Sequence, residues 1–577
     1  MHPMRGVYWI AGVALLGGTL AGASVAAAES AGSTDPGQRC VAVAELMKAK
    51  WPDATTHVLS AAWHAAGEQT RTPMGSAVLP EHCEVTAAMQ DRVGRDGQHY
   101  AVRFHLRLPA NWNERFFFEG GGGTEGELGG AIGFVGPGTP PAIAQGYAVV
   151  SQDSGHDNAT NSVPERGGAV AFGLDPIARA NYGGASLKEV ADAAKAVVRE
   201  YYGRALQRSY FFGCSKGGQE GMAFAQRFPE EFDGIVAGAP GFSLPRAAVA
   251  EVWDTQAFES LVPAEKRTSD PRALAGTFSD AQFGKVREAI LAACDAEDGV
   301  KDGITADFGA CRWARVKSEL EKRKCSKDSS PQCISEAQID VLGRVLGGPK
   351  NSQGQSLYSD WPLDAGVGSV GWRAWKIGPA GGAMPSINAA MGGPALAEIF
   401  TTPPTTVRAD LSSALMFAEQ FDFDRDAAKI SATSADFPRS AWDEIAARSP
   451  HLEAFRAHGG RMIVTQGASD PVFSLNDTLA WFREVDRIEH GQAARFVRVF
   501  PVPGMAHCGG GPATDQFDSF GALVAWVEKA QVPGQIVAKA GPASPWPGRT
   551  RPLCPYPKVA RYSGSGSIEE ASSFQCN

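Results

Sequence analysis

Apolar runs of strand length alternate with segments of helical period along this 577-residue chain, in two blocks with a long interruption between them. Such alternation packs as a mostly parallel sheet with helices on both faces, so it limits the fold more than any other feature here. In the first block, HYAVRFHLRLP (99–109) sets Tyr100, Val102, Phe104, Leu106 and Leu108 at the period of a half-buried strand. RFFFEGGGGTEG (115–126) reads as a buried strand entering a glycine loop, and YAVVSQDSGHD (147–157) as a strand ending in polar residues. A helix follows, with Leu187, Val190, Ala191, Ala194, Val197, Val198 and Tyr201 on one face and a capping box from Ser186 and Glu189. The strand 209–213, a sharp turn, a helix to Phe228 and the strand DGIVAGAP (233–240) complete the block. The pattern returns at RMIVTQGASD (461–470), a helix over 477–487, RFVRVFPVPG (495–504) and a helix over 517–530. The expected class is α/β, one catalytic domain built from 29–241 and 448–577 with a lid domain inserted at 242–447.

The first 28 residues read as an export signal: Arg5 gives a positive start, Val7 to Leu20 is mostly apolar, and Ala26-Ala27-Ala28 offers a cleavage point. No later stretch approaches the roughly 18 apolar residues a membrane span needs. The protein is therefore expected to be secreted or periplasmic, with no membrane partner. Net charge is −9 and no basic stripe occurs, which argues against nucleic acid as a partner. Export makes the ten cysteines disulfide candidates, and no CxxC pair points to zinc. Cys294 with Cys311, Cys325 with Cys333, and Cys554 with Cys576 are close enough in sequence to be local pairs.

GCSKGGQEG (213–221) directly follows the apolar run 209–212 and contains G-x-S-x-G around Ser215. Strand, tight glycine turn and helix together form a nucleophile elbow, which exposes the serine hydroxyl at the top of an α/β-hydrolase sheet. A serine nucleophile needs a base, and the base an orienting acid, in the chain order Ser, Asp or Glu, His. The two returning strands each end in a candidate, Asp470 and His507. His156 also follows a strand, but it precedes the serine and fails the order. Cys214 adjoins Ser215 and Cys508 adjoins His507, so a serine and histidine within hydrogen-bond reach bring those cysteines within bridging distance. For the oxyanion, the backbone N–H of Lys216 is one expected donor; the second should lie in GGGG (120–123), with Gly122 favoured over Gly121 and Gly123.

CDAEDGVKDGI (294–304) places Asp295, Asp298 and Asp302 around two glycines. Carboxylates at this density suit a hard cation such as Ca2+, with the carbonyls of Val300 and Ile304 completing the oxygen set. The spacing is too short for an EF-hand and the closing glutamate is missing.

With these residues in place, the mature chain resembles the tannase/feruloyl esterase family, most closely its bacterial members that hydrolyse mono(2-hydroxyethyl) terephthalate. The resemblance is carried by GCSKGG, GASDPVFS, PGMAHCGGGP, CDAEDGVKDGI and RTRPLCPYPKVARYSGSG (549–566). It implies an α/β-hydrolase fold whose lid carries a structural Ca2+ held by Asp295, Asp298, Val300, Asp302 and Ile304. It implies Ser215 as nucleophile, His507 as base, Asp470 as its orienting acid, and a Cys40–Cys83 pair. In the terephthalate-specific members a lid arginine grips the free carboxylate and aromatic residues enclose the ring. Trp375 and Phe473 are retained here as substrate-binding residues, but the arginine's place falls near Ile387 and no Arg occurs from 377 to 400. Lys216 stands where those members carry glutamate. Lys216 or Lys376 is the available substitute, although a lysine lacks the bidentate guanidinium fork.

The implied function is hydrolysis of small aromatic carboxylic esters (feruloyl, galloyl or hydroxyethyl terephthalate type) through an acyl-enzyme. A general carboxylesterase or lipase, or a serine peptidase, uses the same three residues, and the preferred acyl group separates them. A binding protein on a hydrolase scaffold has no need of the Ser–Asp–His order.

Overall fold

The computed structural model describes residues 35–577 except 73–74, 268–269, 271 and 327–331. The expected export signal over 1–28 lies outside the described residues. The centre is a nine-stranded sheet: β1 (His57–His64), β2 (His82–Val93), β3 (His99–Pro109), β4 (Arg115–Glu119), β5 (Ala148–Gln152), β6 (Arg208–Cys214), β7 (Gly234–Gly238), β8 (Arg461–Gly467) and β9 (Val497–Val502). Their order across the sheet is β1-β2-β3-β5-β4-β6-β7-β8-β9. β5, β4, β6, β7, β8 and β9 run parallel, and β1, β2 and β3 extend the sheet antiparallel from β5.

Both faces of the parallel part are buried, which is why its strands carry consecutive apolar residues, such as Phe116–Phe118 and Met462–Val464, rather than an alternation. Phe116 and Phe118 of β4 point to one face, where they pack with Leu187 and Val190 of α1 (Ser186–Tyr202) and Met222 of α2 (Lys216–Arg227). Phe117, between them, points to the other face and meets the Phe520 ring edge-on at 5.2 Å. The alternation read for 99–109 holds only at its start. His105 and Arg107 are buried too, paired with Glu84 on the neighbouring strand.

Among the described residues, 242–447 contributes no strand to this sheet. Its helices, including α3 (Leu244–Glu259) and α4 (Val370–Lys376), form an apolar cluster with Phe258, Phe278, Phe283 and Trp372 at its heart. That cluster also takes in Tyr182, Val472 and Phe473 from outside the segment. The chain then returns through β8, α5 (Leu475–Ile488), β9 and α6 (Ser519–Lys529).

All five expected disulfides are present: Cys40–Cys83, Cys214–Cys508, Cys294–Cys311, Cys325–Cys333 and Cys554–Cys576. The capping box at Ser186 and Glu189 is not. Gly184 (φ 119°) kinks the chain just before Ser186, but Ser186 itself has helical angles (φ −71°, ψ −19°) and not the extended conformation of a capping residue. The Ser186 hydroxyl donates instead to Gln152 Oε1 (2.9 Å), and Glu189 accepts from Gln90 Nε2 (2.8 Å).

Candidate active site

Ser215 sits between β6 and α2 with φ 65° and ψ −121°, a conformation few non-glycine residues adopt. The turn closes because its neighbours lack side chains. A Cβ on Gly213 would lie 2.5 Å from the Gly217 backbone, and one on Gly218 would lie 2.4 Å from the Gly238 carbonyl oxygen. The turn holds its shape through Ser215 N–H donating to Gly238 O (3.0 Å) and Gly241 N–H donating to Ser215 O (3.0 Å).

The loops after β8 and β9 bring the two partners to this serine. His507 Nε2 lies 2.8 Å from Ser215 Oγ, and His507 Nδ1 lies 2.9 Å from Asp470 Oδ2. Asp470 is fully buried, and its other oxygen accepts from the N–H groups of Val472 (2.8 Å) and Phe473 (3.1 Å). The carboxylate therefore has one oxygen left for the imidazole, which fixes the tautomer: Nδ1 donates to Asp470 and Nε2 accepts from the serine hydroxyl. Cys214 and Cys508 are bonded, with Cα atoms 6.1 Å apart, so the serine turn and the histidine loop are covalently tied.

Trp375 and Phe473 both pack against the imidazole. Their rings meet His507 edge-on at centroid distances of 5.4 and 5.3 Å. Trp375 rides on α4 of the inserted segment, whereas Phe473 follows Asp470 directly, so the two walls come from separate parts of the chain.

Among the glycines of the 120–123 loop, Gly121 is excluded as an oxyanion donor because its N–H already donates to Glu220 Oε2 (3.0 Å). Among the described residues the N–H groups of Gly122, Gly123 and Lys216 have no hydrogen-bond partner, and a Cβ on either Gly122 or Gly123 would meet nothing within 4 Å. Gly122, which the sequence favoured, and Gly123 are both left free to donate.

The lysines depart from expectation. Neither Lys216 nor Lys376 offers an ammonium to a substrate. Lys216 is 1 % exposed, with Nζ 2.8 Å from Glu125 Oε1 and 3.3 Å from Glu220 Oε1. Burial works against its charge, but the two glutamates raise its pKa above the ordinary lysine value. Lys376 is buried against Asp254, which it hydrogen-bonds, and its ammonium lies over the Trp361 ring. A buried cation keeps its charge only with a counter-ion at hand, and both lysines have found theirs inside the protein.

The sequence reading also missed how the inserted segment grips both catalytic loops. Asp364 accepts from the Ser469 hydroxyl in one loop and from Gly504 N–H (3.0 Å) in the other, and Trp361 Nε1 donates to Asp470 O (2.9 Å). Asp364 is fully buried. An isolated aspartate in a loop-rich stretch carries no local mark of such a role.

The acidic loop packs against the C-terminal segment. Asp295 accepts from Gly303 N–H (3.2 Å), Asp298 from Val300 N–H (3.2 Å) and Asp302 from Ile304 N–H (3.0 Å). Asp302 also pairs with Arg551, while Arg549 donates to its carbonyl (2.8 Å) and Arg561 to that of Glu297 (2.8 Å). The arginines of the 549–566 motif thus fasten the C-terminal segment to this loop, which Cys294–Cys311 closes. The donors fit a hard cation in kind: oxygen ligands only, partly buried, with burial pushing the Asp298 carboxyl up to about 7. Among the described residues, however, the three aspartate carboxylates do not all come within 4.8 Å of one another; His64, Glu68 and His82 do. That second group is a poor ligand set. The His64 and His82 rings are stacked at 10°, so their lone pairs do not converge, and Arg107 lies 3.2 Å from His82 Nε2.

Residues 83–577 match the family model for tannase and feruloyl esterase. The chain is 43 % identical over 546 residues to the mono(2-hydroxyethyl) terephthalate hydrolase of Piscinibacter sakaiensis, covering 91 % of this chain and 89 % of that protein. It is 30 % identical over 485 residues to a probable feruloyl esterase of Arthroderma benhamiae, covering 82 % of each. Among solved structures, feruloyl esterase B from Aspergillus oryzae superposes with a TM-score of 0.70 at 21 % identity, over 94 % of this chain and all of that one. Tannin acyl hydrolase from Aspergillus niger superposes with a TM-score of 0.61 at 19 % identity, over 94 % of this chain and 95 % of that one, a likeness of fold.

Proposed function

The chain belongs to the tannase and feruloyl esterase family, and on that premise we propose that it is a serine esterase of small aromatic carboxylic esters, acting through an acyl-enzyme on Ser215. The observation that carries this reading is the hydrogen-bonded chain Ser215–His507–Asp470 with Trp375 and Phe473 packed against its imidazole. Ser215 Oγ attacks the ester carbonyl carbon while His507 Nε2 takes the hydroxyl proton, and the oxyanion accepts from the N–H groups of Lys216 and Gly122. The alcohol leaves with the proton from His507. Water, deprotonated by His507, then attacks the acyl carbon and releases the aromatic acid and the free serine.

The two aromatic rings favour a planar acyl group, and the buried lysines leave it no ammonium for a second carboxylate. Uncharged esters such as methyl ferulate, methyl gallate or bis(2-hydroxyethyl) terephthalate are therefore expected to exceed the mono-ester with its free carboxylate by about tenfold in kcat/KM. The measurement is acid release followed by chromatography across that panel, with fatty p-nitrophenyl esters alongside. Faster turnover of the fatty esters would overturn the aromatic reading in favour of a general carboxylesterase or lipase.

For the acidic loop we propose a Ca2+ held by the carboxylates of Asp295, Asp298 and Asp302 with the carbonyls of Val300 and Ile304. It would join the 242–447 lid to the C-terminal segment and take no part in the chemistry. Treatment with EGTA is expected to lower the melting temperature by about 5 °C, restored by Ca2+ but not by equimolar Mg2+. An unchanged melting curve would mean that the loop holds no ion. Five disulfides fit an oxidising compartment, which supports export as the setting of this activity. Among the described residues no helix is long and apolar enough to cross a membrane.

A further inference from the structure

An oxyanion site needs two N–H groups aimed at one point, and here one of them comes from a run of four glycines. Such a run does not hold a shape by itself, because glycine has more backbone freedom than any other residue. In this chain the loop is fastened group by group. Gly120 N–H donates to Phe212 O (2.9 Å), Gly121 O accepts from Gly217 N–H (3.0 Å), and Gly122 O accepts from Glu125 N–H (2.9 Å). Gly123 O accepts from the Tyr182 hydroxyl (3.1 Å), and Gly121 N–H donates to Glu220 Oε2 (3.0 Å).

The last bond depends on the ion cluster beneath it. Glu220 is fully buried on α2, one turn below Lys216, and its second oxygen takes Gln152 Nε2 (3.1 Å) and lies 3.3 Å from Lys216 Nζ. The same ammonium lies 2.8 Å from Glu125, whose carboxylate also accepts from Ser154, and 4.7 Å from the centre of the Tyr182 ring. Without the ammonium, Glu220 would be a buried, uncompensated charge facing a second carboxylate. With it, the Glu220 carboxylate has a counter-ion at 3.3 Å while its other oxygen accepts from the Gly121 N–H.

We propose that the buried cluster Lys216–Glu220–Glu125 is a positioning device for the oxyanion site, holding the glycine loop against α2 so that Gly122 N–H and Lys216 N–H converge. Lys216 then sets both donors: one is its own backbone N–H, and the other is placed by its side chain through Glu220 and Gly121. The ammonium and the two carboxylates act through the loop and touch no substrate. The inference rests on reading Ser215 as the nucleophile.

The test compares wild type with the double variant Lys216→Met/Glu220→Gln and with Tyr182→Phe. The double variant removes one charge of each sign, so the net charge of the cluster is kept, and burial still works against a charge on the remaining Glu125. Each protein is checked by circular dichroism, then assayed for kcat and KM on methyl ferulate and for inhibition by an arylboronic acid and by ferulate. The boronic acid forms a tetrahedral adduct on the serine, whereas the carboxylate mimics the ground state. The expected result for the double variant is a fall in kcat of about 100-fold, an equal loss of boronate affinity, and KM and ferulate affinity within about threefold of wild type. Tyr182→Phe loses only the hydroxyl on Gly123 and is expected to lower kcat about fivefold by the same signature.

Wild-type kcat and boronate affinity in a folded double variant would overturn the proposal. So would a raised KM and weakened ferulate binding at unchanged kcat, which would make Lys216 a substrate ligand. If the double variant does not fold, Tyr182→Phe decides, and an unchanged kcat there overturns it. Labelling of wild type by a fluorophosphonate keeps the two readings apart: an unlabelled Ser215 sinks the esterase mechanism itself, whereas a labelled wild type with indifferent variants sinks only this inference.

Discussion

Replacing Ser215 by alanine is expected to lower kcat by about a millionfold while leaving the melting temperature within about 2 °C of wild type. The Ser215 oxygen is the only protein atom that bonds to the substrate, and its loss leaves His507 with no nucleophile to activate and only the oxyanion donors and binding walls to act. Stability should hardly change, because the Ser215 hydroxyl's hydrogen bond is to His507, whose other nitrogen remains held by Asp470. Alanine also keeps the backbone bonds to Gly238 and Gly241 that shape the turn. Acid release by wild type and variant, followed by chromatography over several hours, decides the matter. A variant with more than about one-thousandth of wild-type activity would mean that the nucleophile lies elsewhere.

Asp470→Asn is expected to cost about 10⁴ in kcat with little change in KM. The geometry gives the reason. One oxygen of Asp470 is committed to the N–H groups of Val472 and Phe473, so an asparagine there must keep its carbonyl oxygen on them and turn its NH2 toward His507. Nδ1 then has to accept rather than donate, the ring proton moves to Nε2, and Nε2 can no longer accept the serine proton. Kinetics and fluorophosphonate labelling of the folded variant check this. A loss of less than about tenfold would show that another group orients the imidazole.

Most of the architecture was legible because the strands and helices that form it are contiguous and carry their own period. The strand 99–109 and the helix after Ser215 fall where their apolar spacing puts them. The failed capping box at Ser186 is instructive: serine with glutamate three residues on marks a helix start only where the serine itself is extended, and Ser186 already has helical backbone angles. β1 and β2 went unread because they lie at the antiparallel margin, where β1 is mostly exposed and its alternation is weak.

The three residues in line for catalysis were readable for a different reason. A nucleophile elbow needs glycines at fixed offsets, and the partners must follow at the ends of later strands, so chain order and strand ends narrow the candidates to Asp470 and His507. The adjacent cysteines added a second, independent mark, since Cys214 and Cys508 can bond only if the serine and histidine meet.

What the sequence by itself determined is whatever short-range spacing enforces: the α/β rhythm, the elbow, the order of Ser215, Asp470 and His507, and the clustered aspartates. What only the tertiary structure decided is where charge is spent and which loops are held. Lys216 and Lys376 looked available to a substrate until their counter-ions, Glu125 and Asp254, came within reach from distant parts of the chain. Asp364 looked like any loop aspartate until it bridged the two catalytic loops. The cost of an unpaired buried charge depends on which distant residues surround it, and that is a property of the fold rather than of the local string.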